Sequence, residues 1–241
     1  MNLTQQSYSK IRQKLLAADA AGGRRLSINK LAAQLGIGRS PVRDAVNRLA
    51  AEGLLLPVAK SGVVIRSISL RELREIVQLR EALEPYAAAQ AGPRIPRRQT
   101  QQMRRCLGEM TRLARKVRDT RFRDEALNHA LYQADRRLHT IILEAAGNAL
   151  LQKIVVDHQL LLRKVRYPSI RTTPHLARTL LEHWRIYRAL ARRDAAGARC
   201  AMLKHTRSGA RAALASWQKV NRPNPDSMNK SETHKASGQL S

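Results

Sequence analysis

The sequence predicts a mainly α protein: an N-terminal winged helix-turn-helix followed by an antiparallel all-α helical bundle. Three observations predict it. A capped helix, a tight turn and a second helix opening on Ser40-Pro41 occupy residues 27–52. A strand-turn-strand pattern follows at once, over 54–66. From residue 70 onward the chain reads as successive amphipathic helices with short breaks. Composition agrees. Hydrophobic residues make up 43% and aromatics only 3%, so the core must be built from Leu, Ile, Val and Ala.

Tyr8 to Ala18 reads as a first helix, with Tyr8, Ile11, Leu15 and Leu16 on one face. Ser27 caps a second, Ile28 to Leu35, and Gly36 suits the left-handed residue that stops it. Ile37-Gly38-Arg39 makes the turn. Ser40 at the N-cap and Pro41 at the first helical position start a third helix, which runs to Glu52 and ends at Gly53. Leu54 to Ala59 and Val63 to Arg66 flank Lys60-Ser61-Gly62 and read as a hairpin, a wing.

The bundle helices are predicted at 70–91, 97–117, 120–146, 149–166, 174–192 and 195–218. Gly92-Pro93 and Pro96 end the first. Gly147-Asn148 separates the third from the fourth, and Tyr167-Pro168-Ser169 ends the fourth. Asp194 caps the last. The predicted domains are therefore 1–68, 69–218 and a disordered tail at 219–241, whose polar run begins Asn-Arg-Pro-Asn-Pro-Asp-Ser.

The net charge is +27 and implies a polyanionic partner, nucleic acid before an anionic membrane surface. Residues 1–69 hold 11 basic and 3 acidic side chains, so most of the excess lies in the bundle and charge alone does not locate a binding surface. No apolar run resembles a signal peptide or approaches the roughly 20 residues of a membrane span, so the expected location is the cytoplasm. Cys106 and Cys200 lack metal-type spacing and read as reduced thiols.

On the third helix Val42, Ala45, Val46 and Leu49 follow the i, i+3, i+4, i+7 rule and face inward. Arg43, Asn47 and Arg48 are left outside. Arginine pairs bidentately with guanine and asparagine with adenine in the major groove, so these residues suit a recognition helix. Arg39 and Ser40 stand where its N-terminus would meet phosphate. Lys60 at the wing tip would lie against the sugar-phosphate backbone or in a narrow minor groove. The plainer alternative is a solvated helix face.

In the bundle, Asp135 and His139 share one face of the third helix. His183 and His205 are 22 residues apart, across a helix hairpin that can bring them level. One carboxylate and three imidazoles aimed into a bundle make a transition-metal site suited to zinc, nickel or manganese. Core histidines with ordinary hydrogen bonds are the alternative. Arg80 precedes Glu84 by four residues. It is either half of a structural ion pair or a bidentate clamp for an effector carboxylate.

The run Leu31-Ala-Ala-Gln-Leu-Gly-Ile-Gly-Arg-Ser-Pro-Val-Arg-Asp-Ala-Val-Asn-Arg-Leu-Ala-Ala-Glu-Gly-Leu-Leu resembles the signature of the GntR family of bacterial regulators. The resemblance implies a homodimer on a near-palindromic double-stranded DNA operator. Arg39, Arg43, Arg48 and the wing around Gly62 match the family's DNA-contact positions. Ser40 stands where the family often has threonine, and Gly22-Gly23-Arg24-Arg25 replaces the usual Pro-Gly before the second helix.

Asp135-Arg-Arg-Leu-His139, Ala146-Gly147-Asn148, Glu182-His183 and Met202-Leu-Lys-His205 resemble the FCD sensor domain of FadR-type members, as does Leu79-Arg80-Glu81-Ala82-Leu83-Glu84. That resemblance implies a metal held by Asp135, His139, His183 and His205, and a small organic acid as effector. Leu138 replaces a common phenylalanine, while His129, His158, His175 and His234 match no ligand position. It also implies a repressor rather than an enzyme. Two rival readings stand beside it. One is a metal-dependent hydrolase with a DNA-binding head, with Glu144 or Glu182 as its acid or base. The other is a nucleoid-type binder of any DNA sequence.

Overall fold

The computed structural model describes residues 3–17, 25–51, 55–58, 62–65, 68–119, 124–156 and 173–220. Helix α1 is Leu3–Ala17, α2 is Ile28–Leu35 and α3 is Arg39–Ala51. Strands β1 (Arg25–Leu26), β2 (Leu55–Val58) and β3 (Gly62–Ile65) form one antiparallel sheet in the order β1-β3-β2. Helices α4 (Leu70–Arg94), α5 (Arg97–Asp119) and α6 (Glu125–Ala146) follow, then a helical stretch α7 over 149–156, α8 (Thr173–Ala191) and α9 (Ala195–Val220).

The head forms as its sequence dictates. The Ser27 hydroxyl accepts from Lys30 N, and Gly36 closes α2 at φ 65°. Val42, Ala45, Val46 and Leu49 are buried, with Ile11 of α1, Leu31 of α2 and Leu55 and Val63 of the wing around them. Two details differ from expectation. Helix α1 begins at Leu3 rather than Tyr8. Helix α3 begins at Arg39, so Ser40 lies inside its first turn and is not its cap. Pro41 is tolerated there because first-turn N–H groups have no partner within the helix. The expected stop at Gly53 and the wing tip at Lys60 lie outside the described residues.

Strand β1 was not expected. It pairs Arg25 with Val64 and Leu26 with Val63. Gly62 makes that pairing possible. Its φ is 98°, and a Cβ there would collide with the carbonyl oxygen of Leu26.

In the bundle, α4 packs along α9, and α5 packs on α6 and α8. The Ser69 and Glu72 side chains form a capping box that starts α4. The helix then passes through Pro85 and through Gly92-Pro93 to Arg94, correcting the expected end at residue 91. Gly92 serves a contact instead: a Cβ there would stand 3.0 Å from Ala195 Cα, so its absence brings α4 against α9. Pro96 is the effective stop, since Ile95 before it adopts φ −59°, ψ 119°.

Asp124 caps α6, which ends at Gly147 with φ 71°. Residues 120–123 and 157–172, including Tyr167-Pro168-Ser169, lie outside the described residues. Asp194 accepts from Gly197 N at 2.8 Å and caps α9 as expected. Helix α9 reaches Val220, two residues into the segment expected to be tail; 221–241 lie outside the described residues.

Candidate functional site: a buried histidine cluster and an exposed recognition helix

Four helices bring ionisable side chains to one place in the bundle. Helix α4 contributes Arg80 and Glu84, α6 Asp135 and His139, α8 Glu182 and His183, and α9 His205. All seven are buried. Groups of this kind stay inside a core only when paired or liganded.

The three histidines face one another, with ring centroids 4.4 to 5.3 Å apart. Each offers a ring nitrogen within 4.8 Å of the others. His139 Nε2 and His183 Nε2 are separated by 3.3 Å. Two nitrogens bound to one tetrahedral zinc at about 2.0–2.1 Å would stand about 3.3–3.4 Å apart, so the separation of this pair matches that of two ligands of one ion. Asp135 Oδ1 lies 3.4 Å from His183 Nε2 and puts a hard oxygen beside the imidazoles. The donor set fits a divalent transition metal.

Two further carboxylates orient the rings. Glu84 Oε2 stands 3.1 Å from His139 Nδ1, and Glu182 Oε2 stands 3.1 Å from His205 Nδ1. A carboxylate on one ring nitrogen fixes the tautomer and turns the other nitrogen toward the centre. The sequence reading did not identify these two roles. The i, i+4 spacing tied Glu84 to Arg80 but gave no sign that its second oxygen reaches α6. Glu182 is adjacent to His183 in sequence yet serves His205.

Arg80 Nε donates to Glu84 Oε1. Burial by itself pushes the Glu84 carboxyl up, but the Arg80 guanidinium and His139 outweigh it and hold the group well below the usual carboxylate range. Burial likewise opposes the Arg80 charge, and Glu84, Asp135 and Tyr132 restore it. Arg80 Nη2 is buried and has no hydrogen-bond partner among the described residues. The expected Arg80–Glu84 pair is thus present, and one guanidinium nitrogen is left over beside it.

Burial also pushes the Glu182 carboxyl up, against the opposing influence of the nearby Ser208 hydroxyl and neighbouring arginines. Glu144, the other residue considered for acid–base chemistry, is exposed on the far face of α6, in a groove shared with α5. Leu138 is fully buried in the core beside the cluster. His175 lies outside the cluster, while His129, His158 and His234 have no described side chains.

In the head, Arg39, Ser40, Arg43, Asn47 and Arg48 are all exposed on α3. Arg48 differs from the rest. Its Nη1 donates to Gln5 Oε1 at 3.2 Å, and its guanidinium lies 4.2 Å from the Tyr8 ring centroid. It ties α3 to α1. Gly62 has the structural task described above.

This architecture defines a class: a winged helix-turn-helix that presents a polar recognition face, joined to a helical bundle with a buried cluster of ionisable side chains. The chain belongs to the gntR family of bacterial regulatory proteins, whose family model matches residues 3–65, and its second part is an FCD domain, matched over residues 75–208. It is a DNA-binding transcription regulator.

It is 26% identical over 204 residues to the HTH-type transcriptional repressor RspR of Escherichia coli K12, covering 84% of this chain and 85% of that one. It is 23% identical over 206 residues to the uncharacterized HTH-type regulator YdhC of Bacillus subtilis, covering 83% and 86%. Escherichia coli McbR/YncC shares the fold with a TM-score of 0.69 at 21% identity, over 92% of this chain and all of that one. A putative GntR regulator of Rhodococcus sp. RHA1 does so with a TM-score of 0.68 at 17% identity, over 88% and 97%.

Proposed function

We propose that this regulator binds a near-palindromic operator as a homodimer in the cytoplasm, represses transcription, and is modulated by a small organic acid received in the bundle. Residues 1–68 act as the DNA-binding unit, 69–218 as the sensing and dimerising unit, and 219–241 as a tail. Arg39, Ser40, Arg43 and Asn47 meet DNA along α3, with Lys60 from the wing tip. Arg48 and Gly62 act there through the shape of the head. The repressor name of the RspR relative supports the sign.

The observation that carries the sensing role is the unpartnered Nη2 of buried Arg80 beside the histidine cluster. A buried guanidinium donor without an acceptor among the described residues suits a carboxylate oxygen. Asp135, His139, His183 and His205 are the residues that would hold a divalent metal. Bound there, the ion would add positive charge to the cluster and favour an anionic ligand.

The effector acts by linkage: it binds one arrangement of the dimer better and so shifts the spacing of the heads. Selecting bound duplexes from a random pool, with and without a panel of small mono- and dicarboxylates, tests the proposal. It requires one palindromic motif and at least one acid that weakens retention. Indiscriminate retention of the pool, unaffected by every acid, contradicts it.

A further inference from the structure

Helix α5 carries eight basic side chains and two acidic ones in 23 residues. Its apolar side, Met103, Cys106, Leu107, Met110, Ala114 and Val117, is buried in the bundle. Arg97, Arg98, Arg104, Arg105, Arg112, Arg115 and Lys116 are all exposed. At 3.6 residues per turn these seven fall within about 120° of arc and extend over most of a rod about 34 Å long.

None of the seven has an ion-pair partner among the described residues. The acidic residues of α5 are used elsewhere. Glu109 takes Arg137 of α6 at 2.6 Å, and Asp119 lies 3.8 Å from Arg118. A like-charged stripe this dense repels itself, and nothing in the histidine cluster uses it.

We infer that the outer face of α5 is a second DNA-contacting surface, which grips the phosphate backbone without reading bases. The proposal rests on the head's DNA binding and extends it to a separate part of the chain. Charge complementarity supports it. Duplex DNA presents about one negative charge per 1.7 Å of axis, so a length matching α5 offers about 20 phosphates. Six of the seven cations are arginines, whose planar fork matches phosphate oxygens. An anionic membrane fits less well. A helix lying in a bilayer surface needs a free apolar face, and that of α5 is buried in the bundle.

The test uses the full-length protein and a 40-base-pair duplex of random sequence, with affinity measured between 50 and 200 mM salt. The combined variant Arg104→Gln, Arg105→Gln and Arg112→Gln is compared with wild type. The equivalent lysine variant keeps the charge and controls for folding. Each phosphate left without its cation lowers the log–log salt slope by about 0.9, so the glutamine variant should be shallower by about two to three while the lysine variant keeps the wild-type slope. Equal slopes for wild type and glutamine variant, both binding, would overturn the inference and leave the head's role intact. Binding to phosphatidylglycerol vesicles that needs the three arginines, with the DNA slope unchanged, would also overturn it. Failure of the wild type to bind any duplex would remove both readings.

Discussion

Glu84 joins Arg80 to His139. One of its oxygens accepts from Arg80 Nε on its own helix, and the other stands 3.1 Å from His139 Nδ1 on α6. The guanidinium proposed to meet an anionic ligand is thus one carboxylate away from an imidazole proposed to hold a metal. A ligand that drew the guanidinium away from Glu84 would alter the acceptor orienting the His139 ring. Because the three side chains are buried, solvent screens this chain of contacts only weakly.

Removing the arginine alone should be costly. Arg80→Met leaves the Glu84 charge buried without its guanidinium, and breaking a buried pair costs about 3–5 kcal/mol. Adding Glu84→Gln should restore much of that stability. Urea unfolding of the two variants checks this; equal stability would show that the pair contributes little.

Metal binding should depend on the imidazoles. Wild-type protein should purify with, or take up, a divalent transition metal, and a chelator should lower its Tm. His183→Ala should hold less metal by elemental analysis and show no chelator effect. Equal metal content in both proteins would remove His183 from the ligand set.

Two arginines on α3 should behave differently. Arg43 is exposed, so Arg43→Ala should relax base preference at a cost of about 1–3 kcal/mol on the selected site. Arg48 lies over Tyr8 and bonds Gln5, so Arg48→Ala should lower stability by about 0.5–1 kcal/mol with base preference kept. Thermal melts and competition among operator variants separate the two. A change of preference in Arg48→Ala alone would reverse the assignment.

Gly62→Ala should destabilise the head by more than about 1 kcal/mol, because a Cβ would collide with the Leu26 carbonyl at a backbone φ of 98°. Denaturant unfolding checks it. A neutral result would mean that β1 does not need its place beside β3.

Local rules were enough for much of the head. Ser27, Gly36 and the inward spacing from Val42 to Leu49 fix α2 and the buried face of α3 by short-range chemistry. Strand β1 escaped notice because two residues show no alternation, and its reason lies some 36 residues away at Gly62. Gly92-Pro93 looked like a stop, yet tertiary packing against Ala195 overrides the local signal there. In the bundle, i, i+4 spacing marked the Asp135–His139 and Arg80–Glu84 pairs, and the hairpin argument anticipated His183 near His205. The Glu84–His139 and Glu182–His205 contacts cross between helices, and no periodicity within one helix encodes them.

The most direct measurement is the affinity of full-length protein for its selected operator, titrated with a small carboxylate that binds the bundle. It should be made in wild type and in the Arg80→Met, Glu84→Gln double variant. A 5- to 150-fold loss of operator affinity in wild type, about 1–3 kcal/mol, and none in the variant is the predicted result. Unchanged affinity in wild type at saturating ligand would contradict the account.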